Sequence, residues 1–181
     1  MIPLEVKFDH FDCTLMLSLP VQEIPLPVTH EADRRGFALK REFHISVTVS
    51  ENARKVRLAV DELGQREETL QNLETLAHTY SWEYAHTGDY SVHEESYSKQ
   101  RLLSTGKVGA RPHMRRAIVE RVMLPDLARY YAALSALLGV AFTVPIPHVS
   151  LYTWSDAEEF ASRGVGISSA ADFEQTMIAR L

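Results

Sequence analysis

The chain has 181 residues, of which 45% are hydrophobic, and this composition is typical of one globular domain without long disordered stretches. Its formal net charge is -5, which argues against a protein that grips long nucleic acid over its whole surface, because such binding needs many Lys or Arg contacts to phosphate. A small or end-bound phosphate ligand is compatible with this charge.

Cys13 is the single cysteine, so an internal disulfide and a multi-cysteine zinc site are excluded, and we expect a reducing compartment, the cytoplasm. The N-terminal residues MIPLEVKFDHFD lack the basic start and apolar core of a signal peptide. The most apolar stretch, 127–144, contains Arg129 and Gly139 and is followed by Pro145. We interpret it as a buried helix that runs into a strand, and we expect no membrane association.

The first half of the chain begins with short strands and a proline-bounded loop, after which residues 37–49 have the pattern of a strand. In its second part His44 and Ser46 alternate with apolar residues, which predicts one apolar face and one chemically active face. The apolar positions are Phe43, Ile45, Val47 and Val49.

Helical spacing follows from Ala53 to His78, with Ser50 as its predicted start and Gly64 as a point that divides two helices. Aromatic, alternating segments then surround Thr87-Gly88-Asp89, which predicts a hairpin turn there. Residues 98–110 have the composition of an exposed loop.

The second half predicts a strand at 115–122, a helix between Pro125 and Gly139, and a strand at 148–153. In that last strand the predicted outward residues are His148, Ser150 and Tyr152, and the predicted buried residues are Val149, Leu151 and Thr153. The tail predicts a helix capped by Ser169 that carries Phe173, Met177 and Leu181. Without repeats or a linker, we treat 1–181 as one domain.

Two segments of the chain share one plan, His44-Ile45-Ser46-Val47 and His148-Val149-Ser150-Leu151. In each, a histidine and a serine are two positions apart on a strand and must project from the same face. Metal-independent cleavage of a phosphodiester needs a base, an acid and donors that hold the phosphoryl oxygens. Two histidines and two serine hydroxyls meet these requirements.

Histidine suits both proton-transfer roles because its ordinary pKa of about 6.5 allows one ring to be neutral and the other protonated near neutral pH. The sequence leaves open which histidine is the base and which is the acid. Ser46 and Ser150 are the predicted donors to the non-bridging phosphate oxygens.

These two H-x-[S/T] segments, each set among apolar residues, resemble the signature of the two-histidine (2H) phosphoesterase superfamily, which includes cyclic phosphodiesterases acting on RNA ends. The two histidines are 148 minus 44, or 104, residues apart, a separation similar to that of the family's duplicated domain. The stretch 115–167 resembles a bacterial branch of the superfamily whose members mostly lack an assigned substrate. The chain departs from the pattern in having Ser where Thr is commoner, and in the roughly 40 residues before the first motif, but serine keeps the hydroxyl.

The resemblance implies an α+β, bilobed fold in which two antiparallel sheets with flanking helices enclose a central cleft. It further implies hydrolysis of a 2′,3′-cyclic nucleotide or RNA-terminal phosphodiester with no metal or organic cofactor and no obligate protein partner. Arg116, Tyr97 and Tyr152 are candidates to line the cleft and to bind phosphate or stack a base. Two basic clusters, at 34–41 and 111–116, either flank the cleft or are solvated surface. The first consists of Arg34, Arg35, Lys40 and Arg41, and the second of Arg111, His113, Arg115 and Arg116.

Three alternatives stay open. The first is a metal-dependent hydrolase, although the eight histidines show no ligand spacing such as H-E-x-x-H. The second is a non-catalytic module that binds a nucleotide or an RNA end in a similar cleft, and the third is RNA ligation, the reverse of the same chemistry. Gly164-Val165-Gly166 lacks the third glycine of a dinucleotide-binding loop and is interpreted as a turn.

Overall fold

Eight strands form one antiparallel sheet in the computed structural model, which describes residues 4–48, 50–97 and 112–181. The strands are β1 (Glu5–Asp9), β2 (Thr14–Leu19), β3 (Ala38–Leu39), β4 (Phe43–Thr48), β5 (Ala85–Tyr97), β6 (His113–Met123), β7 (His148–Ser155) and β8 (Met177–Arg180). Across the sheet their order is β1-β2-β4-β7-β6-β5-β8, and β3 pairs with β7 beyond the end of β4.

Four helices pack against one face of this sheet and a short fifth helix lies on the other. They are α1 (Leu26–Arg35), α2 (Ser50–Leu63), α3 (Arg66–His78), α4 (Leu127–Leu138) and α5 (Ala170–Thr176). The structure confirms the predicted division at Gly64, whose positive φ of 71° ends α2, and the predicted end of α4 at Gly139, whose φ is 66°. Both positions suit glycine because a side chain would strain this left-handed conformation.

The core lies between α1 to α4 and the apolar side of the sheet, where alternate strand residues such as Leu17, Ile45 and Ile118 are fully buried. We call this side the core face. On the opposite side a smaller cluster joins β6 to the chain segment after β7. Its members are Ala117, Val119, Val165, Ile167 and Phe173. We call this second side the open face, since the described residues cover only part of it.

The strands form a single sheet where the resemblance implied two. The reason is that β4 and β7 pair directly, through Ile45 and Val149. The α+β class is confirmed, with an antiparallel sheet and flanking helices.

The predicted hairpin at Thr87-Gly88-Asp89 is wrong, because these residues lie inside β5. The pairing with β6 shifts register between His86 and Asp89, and Gly88 has a φ of 71°. The glycine therefore marks a β-bulge within one long strand. Its N–H donates to Oε1 of Glu120 across the pair, at 3.3 Å.

The predicted tail helix is partly wrong. Ser169 caps α5 as expected, accepting a hydrogen bond from the N–H of Asp172 at 3.0 Å. The helix ends at Thr176, however, and the next four residues form β8 at the edge of the sheet. The backbone of these residues forms its hydrogen bonds with β5. A helical pattern in the local sequence does not reveal this pairing.

Other predictions fall where the structure gives no description. The loop predicted at 98–110, Val49 and Arg111 all lie outside the described residues. Within the described ranges, none of the helices combines the length and the apolar character that crossing a membrane requires.

Replacing Leu134 by alanine is expected to lower the free energy of unfolding by about 2 to 5 kcal/mol, because the side chain is fully buried in the core beneath α4. Leu137 on the same helix is 39% exposed, and Leu137→Ala is the matched control with an expected loss under about 1 kcal/mol. Urea denaturation measures both. Equal losses for the two variants would contradict the assignment of the core face.

Candidate functional site

The two His-x-Ser pairs lie on the same face of adjacent strands. Ile45 and Val149 are paired across β4 and β7 and are both fully buried in the core. The residues on either side of each must therefore project from the open face. These are His44 and Ser46 on β4 and His148 and Ser150 on β7, so the structure brings all four predicted residues together.

The antiparallel register sets His44 across from Ser150, and Ser46 across from His148. The two histidines then lie on a diagonal, a relation in which Cβ atoms are roughly 7 to 8 Å apart. Two imidazoles at that separation can contact opposite sides of one phosphate group.

His148 is held in one tautomer. Its Nδ1 lies 2.9 Å from the carbonyl oxygen of Ile146, and because that oxygen only accepts, Nδ1 carries the hydrogen. Nε2 is left as the nitrogen that can take up a proton. Burial lowers the pKa of His148, which the hydrogen bond to Ile146 partly opposes, and the charge of Lys40 lowers it further.

His44 is more exposed than His148 but is also held neutral. Burial is the main cause that lowers its pKa to about 4, and the charges of Lys40, His148 and Lys7 lower it further, in that order. Both imidazoles are therefore uncharged at pH 7 in the free protein.

Two cavities meet at His44. The larger, of about 540 Å³, extends along β3 and the end of β7 and is lined by Lys40, Thr153 and Ser162. The smaller, of about 340 Å³, lies over β1 and β2 beside Lys7 and Ser18. His44, Arg41 and Glu42 line both cavities. A ligand can therefore reach His44 from either side.

The loop after β7 passes directly over Ser150. A Cβ atom added to Gly164 would lie 2.7 Å from the Ser150 Oγ, which is closer than non-bonded atoms approach. Glycine at this position therefore allows the backbone to cover the serine hydroxyl. The segment Gly164-Val165-Gly166, predicted to be a turn, thus packs against the site. The signal for this in the sequence was Gly164 itself, a residue without a side chain.

Tyr152 does not project with His148 and Ser150 as predicted. The β6–β7 pairing shifts register at Leu151, so that Ser150 pairs with Val119 and Tyr152 with Ile118. This β-bulge reverses the alternation, and Tyr152 is buried in the core with its hydroxyl donating to Thr29 Oγ1 at 3.2 Å.

Thr153 takes the place predicted for Tyr152. It pairs with Ala117 on the open face, lines the larger cavity and donates a hydrogen bond to the Ala161 carbonyl at 2.7 Å. Thr153 is therefore buried as predicted, at 2% exposure, but it is buried on the open face beside the site and not in the core.

Arg116 points away from the histidines. It pairs with Trp154 on the core face of the sheet, where its guanidinium lies 4.8 Å from the Trp154 ring centroid. Its Nε also donates to Oε2 of Glu94 at 2.5 Å. These contacts hold the side chain on the opposite side of the sheet from the site.

Tyr97 is on the open face but is distant along the sheet. It pairs with His113, six residues along β6 from the Val119 that pairs with Ser150, which corresponds to roughly 20 Å of strand. Its ring stacks on His113 at 5.1 Å, and its hydroxyl oxygen accepts from the Gly166 N–H at 2.8 Å.

The two predicted basic clusters have different positions. Arg34 and Arg35 are bound to Glu31 on α1, whereas Lys40 and Arg41 line the cavity beside His44. In the second cluster the guanidinium of Arg115 lies 4.2 Å from the centroid of the Tyr97 ring. Lys40 is thus a site residue. Its sequence context alone did not distinguish it from a lysine on the surface.

A third histidine, which the sequence interpretation left as surface or structural, is buried under α5. Thr176 donates its hydroxyl to the Asp172 carbonyl at 2.8 Å, so it accepts from His93 Nδ1, also at 2.8 Å. The Ser91 hydroxyl then donates to His93 Nε2 at 2.8 Å. Burial and the nearby charge of His148 lower the pKa of His93 to about 4.

Metal ligation is not evident in the described ranges, where no three His, Cys, Asp or Glu side chains are grouped to hold an ion. Comparisons with protein-family models, curated proteins and solved structures find no match to this chain. The 2H resemblance therefore stays a prediction, and a function can be inferred from the two motifs and the geometry of the site.

His44 and His93 are expected to titrate with midpoints near 4, so both should stay neutral through pH 6. Because both pKa values are lower in the folded chain than the ordinary 6.5, the unfolded chain takes up protons first. The neutral rings of both histidines therefore favour the folded state fully above pH 6.5. The free energy of unfolding falls as the pH is lowered from 6.5 towards 4. NMR titration of the imidazole protons and urea denaturation across this range measure both effects, and a His44 midpoint above 6 would contradict the electrostatic argument.

Proposed function

We propose that the protein is a metal-independent phosphodiesterase that hydrolyses a 2′,3′-cyclic nucleotide or a phosphodiester at an RNA end. The observation that carries the proposal is the meeting of two His-x-Ser pairs on one face of β4 and β7, with His44 at the junction of two cavities. Two proton-transfer groups and two hydroxyl donors on one face of adjacent strands are the groups that this reaction needs.

His148 is assigned as the general base, because its Nδ1 hydrogen is committed to Ile146 and its Nε2 is free to accept a proton. It removes a proton from water or from a ribose hydroxyl as that oxygen bonds to phosphorus. His44, in its protonated form, then gives a proton to the ribose oxygen as the phosphorus–oxygen bond breaks. His148 later returns its proton to solvent, and His44 takes one up when the next substrate binds, which restores both rings and completes the cycle.

Ser46 and Ser150 are assigned to the non-bridging phosphate oxygens. Each serine lies across the strand pair from the histidine of the other motif, so both hydroxyls border the space between the imidazoles. Hydroxyl donors placed there orient the phosphate and stabilise the charge that develops on its oxygens.

The sheet is compatible with the two-lobed arrangement of the 2H phosphoesterases. The strands β1-β2-β4 and β7-β6-β5-β8 meet at the Ile45–Val149 pair, and each half supplies one His-x-Ser motif. We propose that these halves correspond to the two lobes. A cytoplasmic location is part of the same proposal, since Cys13 is buried and unpaired.

His44→Ala and His148→Ala are each expected to lower turnover by about 10² to 10⁴-fold, the usual contribution of a positioned acid or base. The measurement is product analysis with 2′,3′-cyclic nucleotides and cyclic-phosphate-ended RNA in excess EDTA. His78→Ala is the matched control, because His78 is exposed on α3. Loss of activity with EDTA would favour a metal-dependent hydrolase, and tight binding without product by the folded wild type would favour a binding module.

Gly164→Ala is expected to lower kcat/KM about tenfold by displacing the Ser150 hydroxyl, roughly the value of one hydrogen bond to a charged group. Gly166→Ala is the control in the same loop, since its added Cβ would meet Tyr97 Oη at 3.2 Å and not Ser150. In a Ser150→Ala background the Gly164→Ala change should have no further effect, because the group that it displaces is absent. Additive losses would refute this role of the glycine.

A further inference from the structure

Lys40 is a partly buried cation at the edge of the site. It lies between β3 and β4, and its backbone N–H donates to the Leu151 carbonyl at 2.9 Å, which fixes it beside Ser150 on β7. Its side chain lines the larger cavity together with His44 and Thr153. Its charge reaches both catalytic histidines.

The ammonium group of Lys40 forms no hydrogen bond or ion pair with the described part of the chain. Burial lowers its pKa, and the negative charge of Glu42 opposes this effect without forming a contact pair. Removing a charge from water without a partner costs free energy, which an anionic ligand in the cavity would recover.

We infer that Lys40 binds the negatively charged phosphate of the substrate, and that this binding allows His44 to carry the proton that it donates. The inference rests on the proposed phosphodiesterase function and names the residue that recognises the negative charge of the substrate at the same site. An ammonium in the cavity suits a negatively charged phosphate, so the ligand class is a nucleotide phosphate, to which the proposed diester substrate and its monoester product both belong. Lys40 contacts substrate and does not itself transfer a proton.

The charges around His44 show why such a group is needed. The charged or titratable groups that face it are Glu5 and Lys7 from β1, Lys40, Arg41 and Glu42 from the segment before β4, and His148 from β7. The β2 residues that line the smaller cavity with His44 are uncharged: Met16, Ser18 and Leu19. In the free protein burial is the main cause that lowers the pKa of His44, and the nearby cations, Lys40 first, lower it further, so His44 is not protonated at pH 7.

A bound phosphate reverses this balance. Its negative charge offsets the charge of Lys40 and lies beside the imidazole of His44, where an opposite charge favours the protonated ring. The pKa of His44 therefore rises when the substrate binds. The acid required for cleavage forms with the substrate in place, and a neutral ligand would not produce it.

The test uses three variants of the full chain and two readouts that do not depend on turnover. Lys40→Met removes the charge and keeps an apolar stem, and Lys40→Arg keeps the charge. Lys55→Met is the control, since Lys55 is on α2, away from the site, and pairs with Glu51 at 3.7 Å. NMR titration follows His44 with and without saturating uridine 3′-monophosphate. Calorimetry gives the Kd of the same nucleotide, which stands in for the phosphate of the substrate.

In free Lys40→Met the pKa of His44 should be higher than in the wild type, because a repelling charge is gone. The nucleotide should raise the pKa of His44 by at least about one unit in the wild type and Lys55→Met, and much less in Lys40→Met. Its Kd should increase at least about tenfold in Lys40→Met and be partly restored in Lys40→Arg. Urea denaturation should show that Lys40→Met is no less stable than the wild type, since an unpaired charge has been removed.

An unchanged His44 titration and an unchanged Kd in folded Lys40→Met would overturn the inference, even if the wild type hydrolyses cyclic nucleotides. The expected changes in a wild type that hydrolyses no diester would support the anion site and refute the phosphodiesterase. The two proposals therefore fail by different results.

Discussion

The contact between Ile45 and Val149 is the constraint on which the site depends. This one buried residue pair joins β4 to β7 and so makes one sheet of the two halves. Because both side chains enter the core, the histidine and serine that flank each must face the other way. The apolar packing on the core face thus positions the polar groups on the open face, and no further element of the fold is needed to orient them.

Burial and charge act together on the histidines. Desolvation alone would keep His44 and His148 neutral, and the unpaired ammonium of Lys40 strengthens that preference. Under the proposed function, the site lacks its protonated acid in the free protein and gains it when a phosphate anion binds. As in other preorganised sites, the fold sets the positions of the polar and charged groups before the substrate binds.

The sequence was sufficient for those features that depend on local periodicity. Alternation in FHISV and PHVSL predicts that each histidine shares a strand face with its serine, because the side-chain period of a strand is fixed at two. The glycine at 139 likewise predicts the end of α4. Features set by distant pairing were not predictable: the bulge at Leu151 that buries Tyr152, the turn signal absorbed into β5, and the edge strand β8 all depend on a partner strand.

The position of single charged residues was the least predictable part of the candidate site. Arg116 and Lys40 both occur in basic clusters, but the register of β6 directs Arg116 to the core face, whereas the pairing of Lys40 with β7 places it in the cavity. Sequence composition carries no information about which face of a sheet a given arginine or lysine will occupy. The register between paired strands decides which face each of these residues occupies.

The loop that contains Gly164 covers the open face unequally. It lies over Ser150 and Thr153 on β7, whereas in the described chain the half formed by β1, β2 and β4 has exposed residues such as Lys7 near His44. The two sides of His44 therefore differ in how much of the open face the loop covers. Under the proposed function, the covered side receives the terminal phosphate of an RNA, and the uncovered side leaves the rest of the RNA in solvent.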